Sequence, residues 1–156
     1  MKINKLILSL LAIVVVLLSS CDNATTYDHY VHTPLQGWEK NDTLNFKVPP
    51  VSESGLYALQ LGLRIIPTYP FMGITLLVQH SDYQEDNITI DTLNCKLVNT
   101  NGQTLGKGVS YYQYNYQVTD VKLNAGDSIL VRVRHDMKRE ILPGISDVGI
   151  ILKKIN

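Results

Sequence analysis

Hydrophobic and polar residues alternate along most of the chain from Gly37 onward. In residues 56–65, every second position from Tyr57 to Ile65 is apolar, and in residues 128–135 isoleucine and valine alternate with arginine. A period of two places the apolar side chains of a strand on one face, so this pattern predicts half-buried β-strands. Similar alternation predicts further strands in residues 87–98, 109–118 and 147–152.

The alternation changes phase within residues 87–98. Ile88 and Ile90 occupy one set of alternate positions, whereas the apolar residues from Leu93 onward occupy the other set. An extra residue in a strand shifts the phase in this way. We therefore expect a β-bulge or a turn near Asp91-Thr92.

Turn-forming residues separate the predicted strands. They are Pro49-Pro50, Glu53-Ser54-Gly55, Pro67, Pro70, Asn99-Thr100-Asn101-Gly102, Asn124-Ala125-Gly126-Asp127 and Pro143-Gly144. Proline fixes φ, glycine adopts positive φ, and Asn or Asp side chains bond to nearby backbone, which favours turns. No segment after the first 20 residues has a helical period. Seven to eight short strands with this spacing predict an all-β fold, an antiparallel β-sandwich that is jelly-roll-like.

The first 20 residues have the pattern of a cleaved secretory signal peptide. Lys2 and Lys5 precede an apolar run that ends at Leu18, and two serines then precede Cys21. The apolar run is shorter than the ~20 residues that a membrane-spanning helix needs. The Leu-Ser-Ser-Cys ending resembles a bacterial lipobox, which implies cleavage before Cys21 and attachment of lipid to this cysteine.

These features divide the chain into a signal peptide (1–20), a lipidated tether (21–30) and a β-sandwich domain (31–156). Removing the signal peptide leaves 136 of the 156 residues, enough for one domain with a hydrophobic core. The signal peptide contains two of the 14 basic residues and none of the 14 acidic ones, so the mature chain has a net charge of −2. Without a basic stripe, the composition argues against a nucleic-acid partner.

The sequence contains none of the common catalytic patterns. It has no G-x-S-x-G, no H-E-x-x-H and no glycine-rich phosphate loop. Asp82, Glu85 and Asp86 fall in a polar stretch, where solvated turn carboxylates are expected rather than the paired acids of a glycosidase. His29 and His32 lie next to the tether, and a structural zinc site needs four converging ligands. We therefore expect no catalytic residue, no metal and no cofactor.

Tyr112, Tyr114 and Tyr116 occupy alternate positions of one predicted strand. Two interpretations are open. The rings are either an exposed aromatic contact face for a sugar or a peptide, or they line the rim of the core with their hydroxyls reaching water. The first interpretation makes a glycan-binding or polymer-binding module the alternative function.

Four other residues are expected to have structural roles. Trp38 is the only tryptophan of the chain, and packing is the expected role for such a side chain in a small domain. Cys95 has no partner if Cys21 is lipidated, and its leucine neighbours favour a buried, inert thiol. His80 and His135 each end a predicted strand, where we expect them to be solvated or hydrogen-bonded.

Four stretches of the chain together resemble a known family. They are Tyr27-Asp28-His29-Tyr30…Gly37-Trp38 with Asp42…Phe46; Leu61-Gly62-Leu63-Arg64…Tyr69-Pro70; Asp91-Thr92-Leu93…Gly102…Leu105-Gly106-Lys107-Gly108; and His135-Asp136-Met137-Lys138…Leu142-Pro143-Gly144-Ile145-Ser146-Asp147-Val148-Gly149. Their order and spacing resemble those of the gliding-motility lipoprotein family GldH of the Bacteroidetes. In purely physical terms, Gly144 and Gly149 suit a turn and close strand packing.

The resemblance implies a cell-envelope lipoprotein without enzymatic activity. Such a protein would belong to the gliding machinery and its associated protein-secretion apparatus, with other envelope proteins as partners and the membrane bound through the lipid. No cluster of acidic residues closely follows Cys21, which favours a domain that faces the periplasm over one exported to the cell surface.

Three triplets of Asp, a hydroxyl residue and an apolar residue resemble the O-glycosylation acceptor of exported Bacteroidetes proteins. They place candidate sites at Thr43, Thr92 and Ser128. The same triplets are also typical of a turn that opens into a strand. The sequence favours exposure of Thr43 and Ser128, which follow polar turns, and leaves Thr92 undecided.

Overall fold

Two four-stranded sheets pack face to face, and their contact surface forms the hydrophobic core. The computed structural model describes residues 25–34, 36–82 and 88–155. The predicted signal peptide, Cys21 and the first four residues of the predicted tether lie outside these ranges, as do Glu85 and Asp86. Within the described ranges, there is no helix long and apolar enough to cross a bilayer.

The strands have the following bounds and order. The first sheet contains, from edge to edge, β1 (Thr25–His32), β10 (Ile145–Lys154), β4 (Gly55–Ile65) and β7 (Tyr112–Leu123). The second contains β3 (Leu44–Val48), β8 (Ile129–His135), β5 (Gly73–Asp82) and β6 (Ile88–Lys96). A separate ribbon joins β2 (Trp38–Glu39) to β9 (Ile141–Leu142). All neighbouring strands are antiparallel.

The connectivity confirms the predicted jelly-roll-like sandwich. Apart from the ribbon strands, the chain passes from one sheet to the other after every long strand except β5, which forms a hairpin with β6. This crossing between two antiparallel sheets is the hallmark of a double-sheet jelly roll. The described residues form ten strands rather than seven or eight, because β2 and β9 have two residues each, too few for alternation to be visible in the sequence.

The strand β1 corrects the predicted boundary between tether and domain. The sequence assigns residues 21–30 to the tether because they are polar, yet residues from Thr25 onward pair with β10. As an edge strand, β1 needs few apolar residues, and only Tyr27 and Val31 pack against the core cluster. Residues 25–30 therefore belong to the first sheet and not to a tether.

The predicted bulge near Asp91-Thr92 is wrong. β6 pairs with β5 in one unbroken register from Ile88 to Lys96. Ile88 and Ile90 lie on the outer face, with 58% and 60% of their surface exposed, whereas Cys95 lies on the buried inner face. The phase of the sequence pattern changes because the strand carries apolar residues on different faces at its two ends.

The core combines the inner faces of both sheets. The fully or nearly fully buried apolar residues include Trp38, Phe46, Tyr57, Leu59, Leu61, Leu63, Leu76, Val78, Val131, Val133, Leu142, Val148, Ile150 and Leu152. All residues of the predicted inward face of β4 belong to the buried core; they are Tyr57, Leu59, Leu61, Leu63 and Ile65. Alternation in the sequence thus identified the inner face of β4 correctly.

Candidate partner-binding face

The outer face of the first sheet carries a row of polar side chains, one from each strand. The strand register aligns His32 of β1 with Asp147 of β10, Asp147 with Arg64 of β4, and Arg64 with Gln113 of β7. The neighbouring row begins at Tyr30 and crosses Gly149 and Gly62. Four segments that are far apart in the sequence therefore meet on one surface.

Two glycines make room for the ring of Tyr30. A Cβ atom on Gly149 would lie 2.6 Å from Cδ1 of this ring, and one on Gly62 would lie 2.7 Å from its Cζ. Real Cβ atoms do not approach other atoms so closely, so only glycine allows the ring to lie across β10 and β4. Glycine inside a strand often marks such a close approach.

The tyrosine ring in turn supports the guanidinium group of Arg64. The Arg64 Cζ atom lies 4.0 Å from the centre of the Tyr30 ring and 5.4 Å from that of Tyr111. Arg64 Nε donates to Gln113 Oε1 at 3.0 Å, and Gln113 Nε2 donates to the Tyr30 hydroxyl at 2.7 Å. Each side chain is thus held by at least one other, which fixes the guanidinium in place.

A buried carboxylate lies beside this arrangement. Asp147 is nearly fully buried, and its Oδ2 accepts a hydrogen bond from Ser146 Oγ at 2.6 Å. Its Oδ1 contacts Nδ1 of His32, whose side chain is 86% exposed. Burial is the main cause that raises the pKa of the Tyr30 hydroxyl above its ordinary value. We call Tyr30, His32, Arg64, Tyr111, Gln113 and Asp147 the Tyr30–Arg64 cluster.

This cluster is not among the sites predicted from the sequence, although the sequence contains a signal for it. Gly62 and Gly149 each interrupt a strand pattern, and such positions indicate either a bulge or a close approach. The close packing predicted at Gly149 is confirmed, since the ring of Tyr30 lies against this residue. The predicted turn at Gly144 is also confirmed, since its φ is +87°.

The three tyrosines of β7 do not form an exposed aromatic contact face, which was one of the two interpretations of the sequence. Tyr112, Tyr114 and Tyr116 pair with Ile65, Leu63 and Leu61, which are core residues of β4. Because cross-strand partners share a face, the tyrosines point inward. Tyr114 is only 7% exposed, and the other two pack against the core while keeping partial exposure.

Hydrogen bonds explain the tyrosines as structural residues. The Tyr114 hydroxyl pairs with Thr104 Oγ1 at 2.7 Å and donates to the Leu97 carbonyl at 3.2 Å. The Tyr116 hydroxyl donates to the Lys96 carbonyl at 2.8 Å. Tyr114 and Tyr116 also border a groove of about 390 Å³ between β7 and the segment after β6. The alternative function, a glycan-binding or polymer-binding module, was based on exposure of these three tyrosines and is therefore no longer supported by them.

The four predicted structural residues have the expected environments. Trp38 is fully buried, with Nε1 donating to the Asp42 carbonyl at 2.9 Å. His135 is also fully buried, and its Nε2 lies 3.0 Å from the Trp38 carbonyl oxygen. His80 Nε2 lies 3.1 Å from Asp91 Oδ2. Cys95 is a buried free thiol, and burial raises its pKa to about 12.

The three candidate modification residues lie outside the cluster, whereas His32, one of the two histidines considered as metal ligands, belongs to it. Thr92 is exposed on the outer face of β6, whereas Thr43 and Ser128 are partly buried, which reverses the order of exposure that the sequence favoured. No group of three or more possible metal ligands occurs among the residues that the structure describes. His29 and His32 are both exposed.

A family model described as GldH lipoprotein matches residues 25–152. This match begins with the first residue of β1 and ends within β10, so it covers both sheets and every residue of the cluster. The chain belongs to the GldH lipoprotein family. In this family member, the first, second and fourth of the stretches that carried the resemblance supply Tyr30, Arg64 and Asp147 of the Tyr30–Arg64 cluster.

Comparison with individual proteins agrees with the GldH family. The chain is 24% identical over 149 residues to a protein named "Gliding motility lipoprotein GldH homolog" from Christiangramia forsetii, with 90% of each chain covered. Family membership places the chain among membrane-anchored lipoproteins of the cell envelope.

Solved structures give only a distant likeness to this GldH family member. A family GH115 4-O-methyl-α-glucuronidase has a TM-score of 0.49 at 13% identity, over 88% of this chain and 18% of that enzyme. A family 35 carbohydrate binding module from Clostridium thermocellum has a TM-score of 0.42 at 18% identity, over 83% of this chain and 93% of the module.

Proposed function

We propose that this protein is a non-catalytic lipoprotein that serves the gliding machinery and its associated protein-secretion apparatus. The observation that carries the proposal is the family match over residues 25–152. The name of the relative from Christiangramia forsetii supports it, because that protein aligns over 90% of both chains.

The Tyr30–Arg64 cluster supports a binding role rather than catalysis. Arg64, Gln113 and Tyr30 are bonded to one another. His32 and Asp147 form a histidine–carboxylate pair that is chemically able to act as a base, but the groups that the cluster orders at the surface are a cation and two rings, which are typical of binding surfaces. Such a surface suits the recognition of another protein of the envelope.

Gene deletion in the organism that makes the protein tests the proposed role. We expect the deletion to abolish spreading on surfaces and to lower the secretion of cargo proteins, and we expect the wild-type gene to restore both. Unchanged spreading together with unchanged secretion would contradict the role. Loss of spreading alone, with normal secretion, would support the gliding part of the proposal and refute the secretion part.

We propose further that lipid on Cys21 anchors the protein, with the domain facing the periplasm. The lipobox supports this proposal, and so does the start of β1 at Thr25, since only a short segment separates it from Cys21. The variant Cys21→Ala should move the protein from the membrane fraction to the soluble fraction. Cys95→Ala, which changes the only other cysteine, should leave it in the membrane.

Protease treatment of cells tests the orientation. A domain that faces the periplasm should resist protease added to intact cells and should be degraded once the outer membrane is permeabilised. Degradation in intact cells would place the domain on the cell surface instead.

A Cys21→Ala variant that stays in the membrane fraction would refute the anchor itself.

A further inference from the structure

The terminal nitrogens of Arg64 have no acceptor among the residues that the structure describes. Nε is bonded to Gln113, and the two tyrosine rings flank the group. No ion pair in the described part of the chain includes Arg64. The Nη atoms form a planar pair of donors, which matches the two oxygens of a carboxylate.

We propose that the Tyr30–Arg64 cluster binds a carboxylate on a partner protein, with Arg64 making the direct contact. This proposal rests on the binding role proposed for the cluster and names the chemistry of the partner, and the cross-link below is read separately from the gene deletion, so that the two can fail separately. The guanidinium is already ordered by Gln113, Tyr30 and the two glycines. An ordered donor loses little conformational entropy on binding, so more of the interaction energy contributes to affinity.

The charges around Arg64 favour a single carboxylate over a polyanion. Asp147 is the cross-strand neighbour of Arg64, and its carboxylate is engaged by His32 and Ser146. Asp28 lies close enough to act on the pKa of Tyr30. Asp147 and Asp28 repel a dianion such as a phosphate, and this repulsion offsets its attraction to Arg64. A single carboxylate carries less charge and can still form two short hydrogen bonds with the guanidinium.

The surroundings of Arg64 favour a protein over a small anion. Tyr111, which flanks the guanidinium, is 42% exposed, and Val109 two residues earlier is 91% exposed. Ile66, directly after β4, is exposed as well. Arginine and tyrosine next to exposed apolar side chains are typical of the centres of protein interfaces. The occupant is therefore a protein segment that carries an Asp or Glu side chain or a carboxyl terminus.

A zero-length cross-link tests the inference on the full lipoprotein in membranes of its own host. A carbodiimide joins an amine directly to a carboxylate in contact with it, and arginine does not react. The variant Arg64→Lys places an amine at the site, and Arg134→Lys, on the exposed outer face of the second sheet, is the matched control. Tryptophan fluorescence of both variants should match the wild type if the fold is intact.

We expect the amine at position 64 to couple to an acidic residue of one partner protein, identified by mass spectrometry. The yield of cross-linked product from Arg64→Lys should exceed that from Arg134→Lys by about tenfold, the increase in affinity that one charge-assisted hydrogen-bonded pair contributes. Equal yields would overturn the proposal, and so would coupling only to Asp147 of the same chain. Coupling to a carboxylated glycan or to a lipid would overturn the assignment to a protein.

Discussion

The ring of Tyr30 occupies the space in which Gly62 and Gly149 would carry a side chain. The substitution Gly62→Ala should therefore displace the ring and lower the free energy of unfolding by about 1–3 kcal/mol, the usual range for overpacking. Urea unfolding followed by the fluorescence of Trp38 measures this loss, because Trp38 is fully buried and is the only tryptophan.

A double variant separates the clash from other effects of the alanine. Removing the ring with Tyr30→Ala should make the added Cβ harmless, so Tyr30→Ala with Gly62→Ala should cost less than the sum of the single changes. Additive costs would mean that the ring does not restrict this position.

His135 is expected to make the stability of the protein depend on pH. Its burial is the largest cause that lowers its pKa below the ordinary value of 6.5, and the charge of Lys40 acts in the same direction. The Trp38 carbonyl and the charges of Asp136 and Glu140 oppose the shift. The unfolded chain therefore binds a proton on this histidine at a higher pH than the folded protein does.

The resulting contribution to stability is present above pH 6.5 and is lost as the pH falls from 6.5 toward the lowered pKa. His135→Gln removes the titrating group and retains a side-chain donor. Its free energy of unfolding should fall less steeply below pH 6.5 than that of the wild type, as measured by urea unfolding at a series of pH values. Parallel curves for the two proteins would contradict the prediction.

At the scale of strands, the alternating pattern identified β4 and β8 because each has buried apolar residues at every second position. It failed for β1, whose edge position lets polar residues form a strand. The cluster was harder to predict, since four strands from different parts of the chain supply one row. The glycines were visible in the sequence, but the register that aligns Arg64 with Asp147 and Gln113 follows only from the strand order.

The edge strand β6 carries the most accessible of the three candidate glycosylation sites. We propose that Thr92 is the modified residue, because it is exposed in the middle of an edge strand whose far side pairs with no other described strand. Protein purified from its own host should have an intact mass larger than that of the acylated polypeptide.

The variant Thr92→Val should remove that carbohydrate increment, whereas Thr43→Val should leave it in place. A wild-type mass equal to that of the acylated polypeptide alone would exclude modification at all three sites. An increment that persists in Thr92→Val and disappears in Thr43→Val would assign the sugar to the less exposed residue.

For the whole molecule, the proposed lipid on Cys21 implies that the short segment between Cys21 and Thr25 limits how far the domain stands from the membrane. Four residues span at most about 14 Å, whereas the 11 residues of β4 extend over about 35 Å. The end of the sandwich at which β1 begins also carries the turn at residues 124–127, between β7 and β8. The opposite end carries the loop between β6 and β7, and the row of Arg64 lies toward it.

We therefore expect the turn at residues 124–127 to lie next to the lipid and the loop that contains Asn101 to point away from it, which leaves the Tyr30–Arg64 cluster accessible to a partner. Ala125→Cys and Asn101→Cys place a thiol at each end, while Cys95 stays unreactive because it is buried. Each variant, purified as the full lipoprotein and labelled with a fluorophore, is reconstituted in vesicles whose phospholipid headgroups carry a spin label. The label at position 125 should be quenched strongly and that at 101 weakly, and Cys21→Ala should abolish quenching at both. Equal quenching at the two positions would show that the sandwich lies on its side, with the cluster no farther from the lipid than the turn.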